Sequence, residues 1–256
     1  MNAVKFVRET WLMFAANLTA TVRNPIWIIV GMFQPACYLI LFTPLLRPIA
    51  AAPGFPAGGA LRVFTPGLVV MMGMFGSAFV GFGLIADLRA GVIERLRVTP
   101  VNRLALLLGR GLRDVAMLLL QTGVLLLVAW LLGLQASPAG VAITLGLVVL
   151  IGLLMSSISY GLALVVRDED ALASTLNLCI LPLMLLSGIM LPLALAPRWL
   201  RAMAKVNPLA YAVDASRALF IGNLSDPSVG RGFVMMAVLA GLAIWWAAQS
   251  FRNAIA

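Results

Sequence analysis

Long apolar stretches alternate with short polar ones along this chain, and that alternation predicts its elements. Residues 26–46, 63–86, 104–134, 140–166, 171–191 and 233–249 are each long and apolar enough to lie as a helix in lipid, where about 20 residues make a crossing. Pro35 and Pro44 interrupt the first, and Pro182 with Ser187 and Gly188 breaks the fifth. In the third, Arg110, Arg113 and Asp114 confine the lipid-embedded part to roughly the last 20 residues. On that reading no Asp, Glu, Lys or Arg sits at hydrocarbon depth. Residues 3–22 differ: Val4, Val7, Trp11, Phe14 and Leu18 recur at three- and four-residue spacing, with Lys5, Arg8, Glu9 and Asn17 elsewhere on the wheel. The spacing predicts an amphipathic helix in the membrane interface, its Trp and Phe dipped toward the acyl chains. Arg23, Asn24 and Pro25 end it.

The polar connections are unequal. Residues 135–139 and 167–170 are tight turns, 47–62 is rich in Pro, Gly and Ala, and 87–103 (DLRAGVIERLRVTPVNR) concentrates charge as no other segment does. Within that island Leu88, Val92, Ile93 and Leu96 interleave with the charges at near-helical spacing, and Thr99 and Pro100 stop the run. A solvated loop would account for the arginines alone. The interleaving predicts a short amphipathic helix on the membrane surface, with a polar face for a partner. Segment 194–232 is too apolar to be wholly solvated, carrying Trp199, Leu200, Met203, Leu209, Val213 and Leu219. It is expected to re-enter the membrane as short broken helices, which lipid tolerates only where protein buries the backbone.

Composition agrees on the solvent. Apolar residues make up 62% and charged residues 11%, and the mean hydropathy is +1.06, far from the soluble norm. A net charge of +9 needs no nucleic acid, because basic residues collect at membrane flanks. Six crossings put both termini on one side. If that side is the cytoplasm, eleven Lys and Arg face inward, six of them between Arg89 and Arg113, and seven face outward. The bias supports termini inside. Lys5 and Arg8 ahead of an apolar patch resemble a signal peptide, but Glu9, Asn17 and Arg23 break the patch, and the segment is read as retained.

The available chemistry is narrow. Without histidine, acid–base work near neutral pH would need a tuned carboxylate, Lys or Cys. No G-x-x-x-x-G-K-[ST] run is present to cradle nucleotide phosphates, and no span carries the ionisable group expected of an ion-coupled carrier. Cys37 and Cys179 fall inside apolar spans and predict neither disulfide nor metal site. Asp168 and Asp170 could hold Mg2+ beside a pyrophosphate, or the turn 168–170 could simply cap the fifth span at its positive end. The cap is the expectation, since no second acidic cluster completes a metal site. Polar residues within the spans, among them Gln121, Thr122, Ser159 and Tyr160, are expected to hydrogen-bond between helices.

Three stretches carry a resemblance to a known family. They are GVIERLRVTPVNR at 91–103, followed by Gly109 and Gln121; GLALVVRDEDAL at 161–172; and LPLMLLSGIMLPLALAPRWLRAMAKVNPLAYAVDASRALF at 181–220. Over nearly its whole length the chain resembles the membrane-spanning subunit of type-2 ATP-binding-cassette (ABC) exporters, the group that includes daunorubicin-resistance and nodulation-factor permeases. The resemblance implies a single all-α polytopic membrane domain over 1–256 with six transmembrane helices. Its parts are an interfacial connecting helix in 1–25, five crossings in 26–193 with a cytoplasmic coupling helix at 87–103, outer re-entrant helices in 194–232, and the sixth crossing with the C-terminus in 233–256.

By the same resemblance, Arg89, Glu94, Arg95, Arg97 and Thr99 contact a separate cytoplasmic ATPase subunit. Gly188, Pro192, Asn207, Pro208, Tyr211, Asp214 and Arg217 build the outer gate as structural residues. Phe33, Met71, Phe75 and Asn177 are candidates for lining a substrate path between two protomers. No cofactor is expected on this chain; ATP and Mg2+ belong to the ATPase. The other implied partners are a second permease copy, identical or paralogous, and membrane lipid. No catalytic residue, metal ligand or nucleic-acid partner is expected. The implied setting is a bacterial plasma membrane with both termini cytoplasmic. The implied function is ATP-driven export of a hydrophobic or amphiphilic, drug-like compound. Export of a lipid-linked glycan or lipid, a metal-dependent membrane transferase built on Asp168 and Asp170, and an ion-coupled carrier remain as alternatives.

Overall fold

A computed structural model describes residues 3–23, 26–50, 59–91, 103–189, 193 and 196–255. Among the described residues all regular structure is helical: Ala3–Val22 (α1), Ile26–Ala50 (α2), Gly59–Ala78 (α3), Gly81–Arg89 (α4), Arg103–Leu131 (α5), Pro138–Val166 (α6), Glu169–Leu185 (α7), Arg198–Ala204 (α8), Pro208–Ile221 (α9) and Pro227–Ile255 (α10). Four stretches among them are long and apolar enough to cross a membrane: Gly59–Arg89, Leu108–Leu131, Pro138–Val166 and Pro227–Arg252. α2 holds a shorter apolar run, Gly31–Leu45. α7 has 17 residues and ends at Leu185, not near 191.

α6 is the axis of the molecule. It packs along α10 and touches α3, α4, α5, α7 and α9. Pro138 at its first turn and the Ser137 side chain, which accepts the Gly140 N–H at 3.4 Å, start it cleanly. Leu147, Val148 and Ile151 are wholly buried. At Gly140 a methyl group would lie 1.8 Å from the Leu219 carbonyl oxygen, so α9 meets α6 backbone to backbone. In a membrane, small residues of this kind permit close packing, where dispersion and not water expulsion holds helices together.

Several sequence boundaries move, each for a physical reason. α2 runs through Pro35, Pro44 and Pro48 without stopping. Lipid tolerates such prolines where their surroundings take up the freed backbone groups. The stretch 63–86 is two helices parted at Phe79 and Val80. The Gly81 N–H exposed by that break donates to Ser159 Oγ of α6 at 2.9 Å. α10 starts at Pro227, well before 233, because the Asp226 carboxylate accepts the Ser228 N–H at 2.8 Å and proline suits a first turn. Those Ser228 hydrogen bonds hold the Asp226 carboxyl below the usual carboxylate range. α1 occupies the expected 3–22, with Val7 and Trp11 exposed while Thr10 and Met13 lie against α5 at Gly109.

Gly140→Ala is expected to destabilise the detergent-solubilised chain by about 1–3 kcal/mol through overpacking. Gly241→Ala, where an added methyl meets nothing within 4 Å, should leave the thermal midpoint unchanged. Circular-dichroism melts of both variants check the contrast.

Candidate functional site

Two polar assemblies sit at opposite ends of the helices. The first joins α3, α7 and α9. After α7 the chain turns through Ser187, whose hydroxyl donates to the Met184 carbonyl at 2.6 Å, and Gly188, whose φ of 74° suits glycine. Arg217 reaches back from α9 to this turn. Its Nη2 donates to the Gly188 carbonyl at 2.6 Å and its Nε to the Val63 carbonyl at 3.1 Å. Burial pulls the Arg217 guanidinium down to about 10, so it stays protonated at neutral pH. Asn207 begins α9, accepting the Leu209 N–H at 3.0 Å and donating to the Leu183 carbonyl at 2.6 Å. Pro208 follows in the first turn, and the Tyr211 hydroxyl donates to the Lys205 carbonyl at 2.8 Å. Gly188, Asn207, Pro208 and Arg217 thus meet around one junction. Asp214 is exposed, and Pro192 lies outside the described residues.

The second assembly surrounds the last turn of α4. Arg89 reaches Glu169 at 3.2 Å and Asp168 at 3.6 Å in the turn between α6 and α7. Asp168 also caps α7, accepting the Ala171 N–H at 2.9 Å. Asp87 and Arg89 lie in the last turn of α4; Glu94, Arg95, Arg97 and Thr99 lie outside the described residues. Asp87 pairs with Arg110 of α5. One turn on, Arg113 pairs with Asp114 at 2.9 Å and donates to Thr21 of α1 at 3.1 Å. Asp114 also accepts the Tyr160 hydroxyl of α6.

The charges at the start of the third predicted span are buried in protein. Arg110, Arg113 and Asp114 fall within the candidate crossing Leu108–Leu131, with Arg110 at 7% and Asp114 at 6% exposure. Buried ions are tolerated when paired and hydrogen-bonded, and Asp87, Thr21 and Tyr160 supply those partners. Sequence reasoning marked Arg110, Arg113 and Asp114 as the edge of a span and Tyr160 as an interhelical hydrogen-bonder, as it is here, but did not join them. The available signal was an Arg and an Asp four residues apart on one helix face, opposite a tyrosine in the next span.

The candidate substrate-path residues differ in exposure. Phe33 and Asn177 are exposed on α2 and α7, Phe75 is half-buried, and Met71 is sealed in the core. A cavity of about 310 Å3 lies elsewhere, beside Thr43, Ala60, Arg62 and Gln135. Among the described residues no group of three or more His, Cys, Asp or Glu gathers to hold a metal.

Against known proteins, the family model described as ABC-2 type transporter matches residues 8–221. The protein named transport permease ycf38 of Cyanophora paradoxa is 27% identical over 84% of this chain and 75% of its own. The daunorubicin resistance ABC transporter permease protein DrrB1 of Streptomyces coeruleorubidus is 27% identical over 89% and 79%. The protein named probable doxorubicin resistance ABC transporter permease protein DrrC of Mycobacterium tuberculosis is 24% identical over 95% and 87%.

Asn207→Ala removes a cap and should cost about 1–2 kcal/mol. Arg217→Ala strands two carbonyls at about 1–3 kcal/mol each, and Arg217→Lys should recover part of that loss. Thermal unfolding in lipid nanodiscs ranks the three; equal midpoints for Arg217→Ala and the parent chain would remove the clamp.

Proposed function

Because the chain belongs to the ABC-2 type transporter family, we propose that it is the permease of an ATP-driven exporter moving a hydrophobic or amphiphilic, drug-like compound out across a bacterial plasma membrane. The observation that carries this reading is the likeness, along most of the chain, to permeases named for daunorubicin and doxorubicin resistance. The sequence has no P-loop, so the energy comes from a separate cytoplasmic ATPase that binds ATP and Mg2+. α2 and α7 complete six crossings beside the four long stretches, with both termini in the cytoplasm. α8 and α9 form the outer re-entrant element, held by Arg217 and Asn207. Two protomers, identical or paralogous, enclose the cargo path.

In the mechanism, closing ATPases push on the coupling segment 87–103 through Arg89, Glu94, Arg95, Arg97 and Thr99. The protomers tilt from inward-open to outward-open, and cargo leaves outside or into the outer leaflet. The outward apolar side chains of α2 and α7, such as Phe33 and Leu178, 69% and 76% exposed, suit lipid and an oily cargo alike. A transferase built on Asp168 fits less well, since that carboxylate caps α7 and pairs with Arg89.

Affinity capture of the tagged chain from mild detergent should bring down a P-loop ATPase in stoichiometric amount, and the complex should expel an anthracycline from inverted vesicles with ATP. Glu94→Arg should abolish that export with the chain still inserted. A chain that elutes alone even after cross-linking refutes the exporter. A complex that moves a lipid-linked glycan and leaves the anthracycline behind refutes the cargo.

A further inference from the structure

α4 is nine residues long, and the turn at Phe79 and Val80 separates it from α3. A short helix joined to its predecessor through such a break can pivot, unless its far end is held. Leu84 and Ile85 bury one face of α4 in the core, and three polar contacts hold the helix besides. Its first N–H is bonded by Ser159 of α6. Arg89 pairs with Asp168 and Glu169, but these side chains are about half exposed, and exposed pairs hold weakly. The third contact is of another kind: Asp87 meets Arg110, whose side chain is 8% exposed.

Arg110 stands one turn from Arg113 and Asp114 on the same helix. Through those two, α5 reaches Thr21 of α1 and Tyr160 of α6. α1 is pressed against the same turn of α5, where a methyl on Gly109 would lie 3.0 Å from the Phe14 backbone nitrogen. One turn of α5 therefore ties the end of α4 to α1 and α6. The group is balanced in charge, two arginines against two aspartates, and each side chain has a counterpart on another helix or beside it.

We propose that Asp87, Arg110, Arg113, Asp114 and Tyr160 are positioning residues that lock α4 and α1 to the α5–α6 core. Force arriving at the coupling segment then moves the core as one body and is not absorbed by a pivot at residues 79–80. The transmission role rests on the exporter reading above; the locking itself does not.

The test uses the full chain in nanodiscs, with Cys37 and Cys179 replaced by serine and spin labels at the exposed positions Val22 and Ala90. The parent should give one narrow distance distribution. Asp87→Ala and Arg110→Ala should each double its width, and the charge-swapped Asp87→Arg/Arg110→Asp pair should restore it. Tyr160→Phe removes only a hydroxyl, so it remains informative if a charge deletion fails to insert, and it should broaden the distribution as well. Unchanged widths in Tyr160→Phe and whichever charge deletions insert, or a swap as broad as the deletions, overturn the lock.

In the complex captured with its ATPase, Arg110→Ala should keep ATP hydrolysis and lose export, with the swap recovering export. Hydrolysis and export falling together overturns the transmission role. Absence of any ATPase removes the exporter reading, and the distance distributions still decide the lock.

Discussion

A backbone amide or carbonyl in hydrocarbon has no water to turn to, and leaving one unmet costs more than almost any single packing contact repays. Three junctions among the described residues obey that constraint. Ser159 meets the N–H freed between α3 and α4. Asn207 meets both the start of α9 and the Leu183 carbonyl of α7, and Arg217 meets carbonyls in α3 and in the turn after α7. In each case the side chain comes from a different helix than at least one backbone group it satisfies. Closing the hydrogen-bond account of a break therefore also fixes which helices are neighbours.

Charge follows the same logic at higher stakes. Asp114 and Arg110 are nearly sealed from solvent, and an unpaired ion there would be far more costly than an unpaired amide. With Arg113 beside them, their partners come from α1, α4 and α6, so pairing the charges also gathers the elements around the end of α4. The other end has no comparable ionic group among the described ion pairs; there an arginine is spent on carbonyls. One end of the bundle is joined through paired charges, the other through backbone clamps. That division suits a protein that receives force at one end and changes shape at the other.

Much of this was legible in the residues. The 3–22 helix followed from apolar spacing alone, because an amphipathic helix is set by its own periodicity. The order of residues in 181–220 marked Asn207, Pro208 and Arg217 before their contacts were known, and the cap at Asp168 followed from a short polar turn before an apolar run. Other features were read wrongly from local rules. Pro35 and Pro44 appeared to interrupt α2, yet the helix continues through both. An apolar window at 233 hid the start of α10, although Asp226 and Pro227 spell a helix start.

By itself, then, the sequence determined that this chain is a set of apolar helices made for lipid, with an amphipathic N-terminal helix and a charged segment between two crossings. Those properties are sums over neighbouring residues. The tertiary structure alone decided that Arg110 and Asp114 are buried beside Asp87 and Tyr160 and that Arg217 holds the Val63 carbonyl. Asp87 and Tyr160 lie 23 and 46 positions from their partners, and Val63 lies 154 from Arg217. Hydropathy counts a charge as a cost wherever it stands; only the fold can bring the partner that removes the cost.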